Sequence, residues 1–261
     1  MCPSALDVTV NSEYLKVMSV GESGKGKSIF AASFPTPGFI FDFGKEILSY
    51  REKDFDYEQY DLSPQGWAKF EKDFIQIKKD VLAKKYITVI VDNLSAMSDI
   101  CMEKAMQLDP KRSKTNGPLW NVHYGMVANL MEGRLRQILN LGCNLVLIAH
   151  LATIKDEDGA VIGVEPSLTG RLSTEVPSYF NDVFYHITRK EDGETKWMVQ
   201  TVPIGRNHGR SRASGKEQLL PIMVKNDYAE IIAYLTGEKI KTTKPQLKRP
   251  RPQPKPQTRR T

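Results

Sequence analysis

The chain has 261 residues, of which 40% are hydrophobic and 26% are charged, and its formal net charge is +6. This composition is ordinary for a globular protein, and the length suits one α/β domain with an appendage better than two domains. No apolar run approaches the length of a membrane span, and the three cysteines lack the spacing of a zinc site or a disulfide framework. We therefore expect a cytoplasmic protein without a membrane partner.

The basic charge is concentrated at the C-terminus. Residues 239–261 contain nine Lys or Arg residues, five prolines and no acid, so the net charge of +6 minus these nine leaves −3 for residues 1–238. This composition predicts one domain over residues 1–238 and a disordered tail over 239–261. Three roles of the tail stay open: solubilisation, attraction to nucleic-acid phosphates, and binding to a peptide-recognising partner.

A phosphate-binding loop follows the first predicted strand. Residues 15–20 predict a strand, the next eight read G-x-x-x-x-G-K-S, and residues 27–34 predict the start of a helix. Glycines bring backbone N–H groups close to phosphate oxygens, and a helix adds its positive N-terminal end, whereas the alternative is a glycine-rich surface turn. Lys27 is expected to reach the β- and γ-phosphates, and the Ser28 hydroxyl to ligate Mg²⁺. The predicted nucleotide-binding residues are Gly21, Glu22, Ser23, Gly24, Lys25, Gly26, Lys27, Ser28 and Ile29.

Acidic side chains end two further predicted strands. Residues 39–43 predict a buried strand, and Asp42 and Glu46 lie at its C-terminal end, the edge where α/β sheets bind ligands. After a capped helix over residues 67–85, the β-branched run 86–93 predicts a parallel strand that ends in Asp92. We predict that Asp92 binds Mg²⁺, the Walker B role, and the alternative is an N-cap of the next helix.

Two helices and a histidine-tipped strand come next. Residues 95–108 and 120–141 predict helices, and the basic, breaker-rich loop 109–118 between them either touches phosphate backbone or is simply solvated. The apolar strand 143–150 ends in His150, at the same predicted edge as Asp92. His150 is therefore a candidate γ-phosphate sensor, with a purely structural histidine as the alternative.

The C-terminal part predicts antiparallel structure. Asp-Gly pairs at 158–159 and 192–193 predict two hairpins, separated by a loop over 165–179. A mobile basic loop is predicted over 205–216, and a last helix over 228–235.

The order of these features resembles the RecA-core ATPases of the additional-strand class, and more narrowly the small RecA-like ATPases of tailed phages that accompany single-strand annealing and recombination. The features that match lie between residues 15 and 235: the phosphate-binding loop, Val91-Asp92-Asn93, Trp120 with Tyr124, Ile148-Ala149-His150, Pro166 to Gly170, and Pro177 with Phe180 to Val183.

The resemblance implies a RecA-like P-loop NTPase fold, with a mainly parallel central sheet flanked by helices and C-terminal antiparallel hairpins. It also implies binding of ATP and Mg²⁺, action on single-stranded DNA beside a single-strand-binding protein, and host cytoplasm as the location if the chain is phage-encoded. The resemblance also implies a catalytic glutamate on the strand after the P-loop helix, but here Asp42-Phe43-Gly44 has no Glu two positions after the Asp. The base is either Glu46 or Asp42, and slow hydrolysis is therefore expected.

RecA-type assemblies also complete the ATP site with a basic residue from a neighbouring subunit. The resemblance therefore implies a homo-oligomer, and Arg206, Arg210 and Arg212 lie in the late loop suited to such a finger, with DNA-facing or solvent-facing arginines as the alternative. The predicted function is an ATPase acting on single-stranded DNA in recombination, annealing or replication. The alternative is an ATP-dependent assembly or loading switch that acts on a protein partner, and a small-molecule kinase is disfavoured because no arginine-rich lid or acceptor pocket can be assigned.

Overall fold

The computed structural model describes residues 14–212 and 219–238. The predicted tail, residues 239–261, lies outside the described residues, and so does the segment 213–218 of the predicted basic loop. The domain boundary near residue 238 therefore stays a prediction.

A nine-stranded sheet forms the centre of the described part of the chain. Its strands follow apolar runs, as expected for a sheet buried on both faces. They are β1 (Lys16–Val20), β2 (Gly38–Asp42), β3 (Phe55–Gln59), β4 (Thr88–Asp92), β5 (Asn144–Ala149), β8 (Asp182–Glu191), β9 (Glu194–Gln200), β12 (Arg210–Ser211) and β13 (Met223–Lys225). Two small ribbons lie apart from it: β6 (Leu151–Lys155) with β7 (Val161–Pro166), and β10 (Pro203–Ile204) with β11 (Asn207–His208).

The strand order is β13-β9-β8-β1-β5-β4-β2-β3, with β12 beside β8. The six strands from β8 to β3 pair in parallel, and β9, β12 and β13 pair antiparallel. The strand β5 is inserted between β1 and β4, and the register pairs Val20 with Ala149 and Asp42 with Asp92. The carboxyl ends of these four strands therefore meet at one edge. The predicted mainly parallel α/β sheet with C-terminal hairpins is confirmed.

Helices cover both faces of the sheet. One face packs against three long helices through a core cluster that includes Trp67, Phe70 and Met131. The other face packs against the first and last helices through a cluster that includes Phe30, Phe184 and Ile231. The helices are α1 (Lys27–Ala31), α2 (Pro64–Leu82), α3 (Leu94–Leu108), α4 (His123–Leu139), α5 (Leu172–Glu175) and α6 (Tyr228–Leu235).

Several predicted elements differ in extent. The helix expected over 27–34 ends at Ala31, because Pro35 and Pro37 follow and cannot continue a helix. The expected loop 165–179 contains the last two residues of β7, the helix α5 and the 3₁₀ turn Val176–Tyr179. The strand β3 was not predicted at all, because its largely exposed residues give no apolar run.

The basic loop predicted over 205–216 is partly regular structure. Its described residues include β11 and β12, and β12 pairs with β8 through Arg210 and Ser211. Both side chains add to this pairing: Ser211 donates to the Asp182 carboxylate at 2.6 Å, and Arg210 binds backbone carbonyls of the segment before β8. Within the ranges 14–212 and 219–238, no helix is long and apolar enough to cross a bilayer.

Candidate functional site

A pocket of about 270 Å³ opens where the carboxyl ends of β1, β2, β4 and β5 meet. It brings together most of the predicted loop residues with residues from three other strand ends. Its lining comprises Ser23, Gly24, Gly26, Lys27, Ser28, Ile29, Glu46, Ser49, Asp92, Ile148, His150 and Trp197. Of the predicted nucleotide-binding residues, Gly21, Glu22 and Lys25 do not line it.

Lys27 is held in place before any ligand arrives. Its ammonium donates to the carbonyl oxygens of Gly21 and Glu22, both at 2.8 Å, and the residue is 6% exposed. Burial lowers the pKa of Lys27, and the carboxylates of Asp92, Glu46 and Glu22 oppose this shift. The amine therefore lies in a partly desolvated site next to negative groups, where a phosphate adds further attraction.

The loop backbone has the shape that a phosphate cradle needs. Gly24 and Gly26 adopt left-handed φ angles of +74° and +86°, which glycine adopts at no steric cost. The helix α1 behind the loop has only five residues, so it contributes less dipole than the sequence suggested. Phosphate binding therefore depends mainly on the loop N–H groups and Lys27.

Ser28 and Asp92 meet as a Mg²⁺ site requires. The Ser28 hydroxyl donates to Oδ2 of Asp92 at 2.9 Å, and the Tyr50 hydroxyl donates to the same oxygen at 2.7 Å. Burial raises the pKa of Asp92 to about 6, and both hydrogen bonds oppose this rise. In the part of the chain that the structure describes, no cluster of three or more His, Cys, Asp or Glu side chains could hold a metal alone. These residues fit Mg²⁺, which commonly uses few protein oxygens and completes its shell with phosphates and water.

The helix N-cap role that was the alternative for Asp92 is performed by Asn93. Oδ1 of Asn93 accepts the N–H of Ala96 at 2.8 Å and caps α3. This leaves the Asp92 carboxylate facing the loop, in contact with Ser28.

The two candidate bases have different surroundings. Asp42 is 1% exposed, and its oxygens accept the backbone N–H of Glu46 at 3.1 Å and the amide of Gln59 at 2.7 Å. Glu46 is exposed and lines the pocket. Its charge opposes the lowering of the Lys27 and His150 pKa values, so it lies near both. Glu46 is therefore the candidate that faces the pocket, whereas Asp42 is buried and holds the backbone of the Glu46 turn through a hydrogen bond.

His150 lines the pocket together with Asp92, and its role as a γ-phosphate sensor stays a prediction. Nδ2 of Asn93 lies 3.2 Å from Nε2 of His150, and because an amide nitrogen only donates, Nε2 accepts and Nδ1 carries the proton. Burial lowers the pKa of His150, and the Lys27 charge lowers it further. The imidazole is thus neutral near pH 7, with one N–H able to donate to a phosphate.

The three candidate finger arginines do not line this pocket. Arg210 donates to the carbonyl oxygens of Pro177 and Phe180, the latter at 2.9 Å, so its guanidinium is used within the subunit. Arg206 lies exposed in the turn between β10 and β11, and Arg212 is exposed after β12. An arginine-finger role stays a prediction for Arg206 and Arg212. For Arg210, the hydrogen bonds to Pro177 and Phe180 weigh against that role.

Three contacts around the loop were missed from the sequence. The indole N–H of Trp197 donates to the carbonyl of Gly24 at 3.2 Å, Tyr50 binds Asp92, and Nδ2 of Asn226 donates to the carbonyl of Gly26 at 2.8 Å. Two of them span 173 and 200 residues. No local pattern could reveal these two, because only the tertiary fold brings Trp197 on β9 and Asn226 after β13 to the loop.

His186 packs against the start of the phosphate-binding loop at Gly21. It is fully buried beneath Gly21, its Nδ1 donates to Oδ1 of Asn226 at 2.9 Å, and its Nε2 has no partner among the described residues. Burial lowers its pKa from about 6.5 to about 3. Between these values the unfolded chain binds a proton and the folded chain does not. The depressed pKa of His186 therefore costs no unfolding free energy above pH 6.5. As the pH falls below 6.5, the unfolding free energy decreases because only the unfolded chain takes up the proton.

Replacing His186 by glutamine is expected to remove this pH dependence, because glutamine keeps a donor for Asn226 and does not titrate. Between pH 7 and pH 5.5 the wild type should lose about 1 kcal/mol more unfolding free energy than the variant. Urea unfolding of both proteins at both pH values measures the difference, and other groups titrate alike in the two. Identical pH dependences would contradict the assignment.

Comparison with known families matches residues 13–213 to the AAA domain family. No curated protein matches the chain. Among solved structures, it is similar to the KaiC-like protein PH0186 of Pyrococcus horikoshii OT3, with 14% identity, 76% of this chain and 81% of that chain covered, and a TM-score of 0.42. It is also similar to the flagellar accessory protein FlaH of Methanocaldococcus jannaschii, with 9% identity, 85% and 89% covered, and a TM-score of 0.39.

Proposed function

Because this chain belongs to the AAA domain family, we propose that it is a Mg²⁺-dependent ATPase that acts on single-stranded DNA in recombination, annealing or replication. One observation carries the ATPase part: Lys27, Ser28 and Asp92 line one pocket together with Glu46. These are the side chains that phosphoryl transfer to water needs, because its catalysis is largely positioning and charge stabilisation.

Each residue has a role in this reaction. Lys27 and the loop N–H groups bind the phosphates and offset charge on the transferring group. Ser28 and Asp92 would hold Mg²⁺, which when bound neutralises charge on the β- and γ-phosphate oxygens. Glu46 accepts a proton from the attacking water, and the Nδ1–H of His150 donates to the γ-phosphate. Asn93 keeps His150 in the tautomer that can do so.

An aromatic pair with one exposed ring supports the DNA part of the proposal. The rings of Trp120 and Tyr124 lie 4.5 Å apart at the start of α4, and Trp120 is 73% exposed. The preceding loop presents Lys111 and Lys114 to solvent. Aromatic rings beside lysines suit single-stranded nucleic acid, whose bases stack and whose phosphates attract cations.

This basic loop is held in shape by its own hydrogen bonds. Buried His123 accepts the Leu119 N–H at Nδ1 at 2.7 Å and contacts the Asp109 carbonyl through Nε2 at 2.9 Å, which closes the loop. The Arg112 guanidinium binds the carbonyls of Met106, Asp109 and Lys111, so it is part of the loop's structure and not a free phosphate contact. Lys111 and Lys114 remain as the candidate phosphate contacts.

The double variant Trp120→Ala/Tyr124→Ala is expected to bind single-stranded DNA at least about tenfold more weakly, because each stacked base contributes roughly 1–3 kcal/mol. Fluorescence anisotropy with a labelled oligonucleotide, ATP and Mg²⁺ over a salt series measures this. Tyr57→Ala, which removes a half-exposed tyrosine on β3, is the matched control and should bind normally. ATPase rates with and without the oligonucleotide test whether DNA stimulates turnover.

The absence of binding by the full-length protein with ATP at low salt would end the DNA part of the proposal. Turnover without DNA binding would favour the alternative, an ATP-dependent switch that loads or assembles a protein partner. The resemblance stated above also leads us to propose a single-strand-binding protein as partner, a homo-oligomer as the active form, and a cytoplasmic location, in the host cytoplasm if the chain is phage-encoded.

A further inference from the structure

An indole ring forms one wall of the pocket that holds the phosphate-binding loop. Trp197 lies on β9, lines the pocket, and is 40% exposed. The rest of the lining is mostly polar or charged, with Lys27, Glu46, Asp92 and His150 among it. A large apolar ring in the wall of such a pocket offers a flat surface that suits a ligand group of matching chemistry.

The ring is positioned by direct contact with the loop. A methyl group at Gly26 would lie 2.8 Å from Cδ1 and 3.0 Å from Cγ of Trp197, so only glycine lets the indole come this close. The indole N–H also donates to the carbonyl of Gly24 at 3.2 Å. The ring is therefore fixed at its edge and on the side of Gly26, and its exposed surface adjoins the pocket.

Asn226 fixes the strand that carries this ring. Its backbone N–H donates to the carbonyl of Trp197 at 3.3 Å, and its side-chain Nδ2 donates to the carbonyl of Gly26 at 2.8 Å. The indole and the phosphate cradle are thus one preorganised unit, and a ligand that uses both loses little conformational freedom.

We propose that Trp197 is the stacking platform for the nucleoside base of the bound triphosphate. This rests on the proposed ATPase function and assigns the part of the ligand that the loop and Lys27 do not contact. Base stacking uses the π-face that every nucleobase has. The described pocket lining contains no Asn or Gln side chain that could read a base edge. Stacking therefore contributes affinity for the base with little side-chain selection between ATP and GTP.

The test compares ATP with inorganic tripolyphosphate, which has the phosphates but no base. In the presence of Mg²⁺, Trp197→Ala should weaken ATP binding by about tenfold or more and leave tripolyphosphate binding within about twofold of the wild type. Trp197→Phe keeps a ring but lacks the N–H donor, and it should bind ATP within about threefold of the wild type. ATP should also quench a component of wild-type tryptophan emission that is missing in Trp197→Phe, whereas tripolyphosphate should not.

The outcomes separate this inference from the proposed function. If both alanine and phenylalanine variants weaken ATP and tripolyphosphate equally, Trp197 only supports the loop and the inference is overturned. Unchanged ATP binding by Trp197→Ala overturns it as well, while the ATPase proposal stands. If the wild-type protein binds tripolyphosphate and ATP with the same affinity, the base makes no contact and the platform is excluded. If it binds neither, the proposed function itself fails.

Discussion

Replacing Lys27 by alanine is expected to lower kcat/KM for ATP by at least about 100-fold, the usual scale for losing one strong donor to a developing anion. Lys27 is the lysine that lines the pocket, and two carbonyl oxygens already hold its ammonium there. The side chain is therefore ordered before ATP binds, and its full charge is available to the phosphates. Phosphate release measures turnover, and calorimetry measures ATP binding.

Lys25→Ala is the matched control. Lys25 belongs to the same loop, but its ammonium lies between Glu22 at 3.5 Å and the Thr188 hydroxyl, away from the pocket lining. The variant keeps the backbone N–H of the cradle, so its turnover should stay within about threefold of the wild type. Wild-type turnover by a clean preparation of Lys27→Ala would refute the nucleotide site proposed for this loop.

Changing Glu46 to glutamine is expected to lower kcat by about 100-fold or more, within the range for loss of a general base, with ATP affinity retained or increased. Glutamine has nearly the same size but cannot take a proton from water, and removing a negative charge near the phosphates favours binding. Single-turnover hydrolysis and ATP titration together separate the two effects. Glu52→Gln, at an exposed position after the Glu46 turn, should behave as the wild type.

Asp42→Asn distinguishes the two candidate carboxylates. Asparagine can still accept the backbone N–H of Glu46 through its oxygen, so we expect a loss of no more than about tenfold, through a less ordered Glu46 turn. The reverse ranking, with Asp42→Asn inactive and Glu46→Gln near wild type, would assign the base to Asp42. It would also require Asp42 to leave its contact with Gln59.

The elements that the sequence predicted best are those whose pattern reflects deep burial on their own. The strands β4 and β5 are entirely buried runs, and α2 shows an apolar stripe after a Ser63 cap. The edge strand β3 has no such signal, because most of its residues face solvent and backbone pairing with β2 holds it. The length of α1 was also misjudged, since the apolar residues after Lys27 continue past the point where the backbone leaves the helix.

For the site, the sequence by itself identified the phosphate-binding loop and placed Asp92 and His150 at the same edge of the sheet. A local motif specifies the first, and the last two follow from the rule that parallel strands end at one edge. Tertiary structure decided what depends on distant contacts. It left Glu46 exposed and buried Asp42. It also placed the Arg210 guanidinium on backbone carbonyls of the same chain, and the Tyr50 hydroxyl on the Asp92 carboxylate. It also brought Trp197 to a loop 173 residues away, because the order of strands in a sheet is independent of their order in the chain.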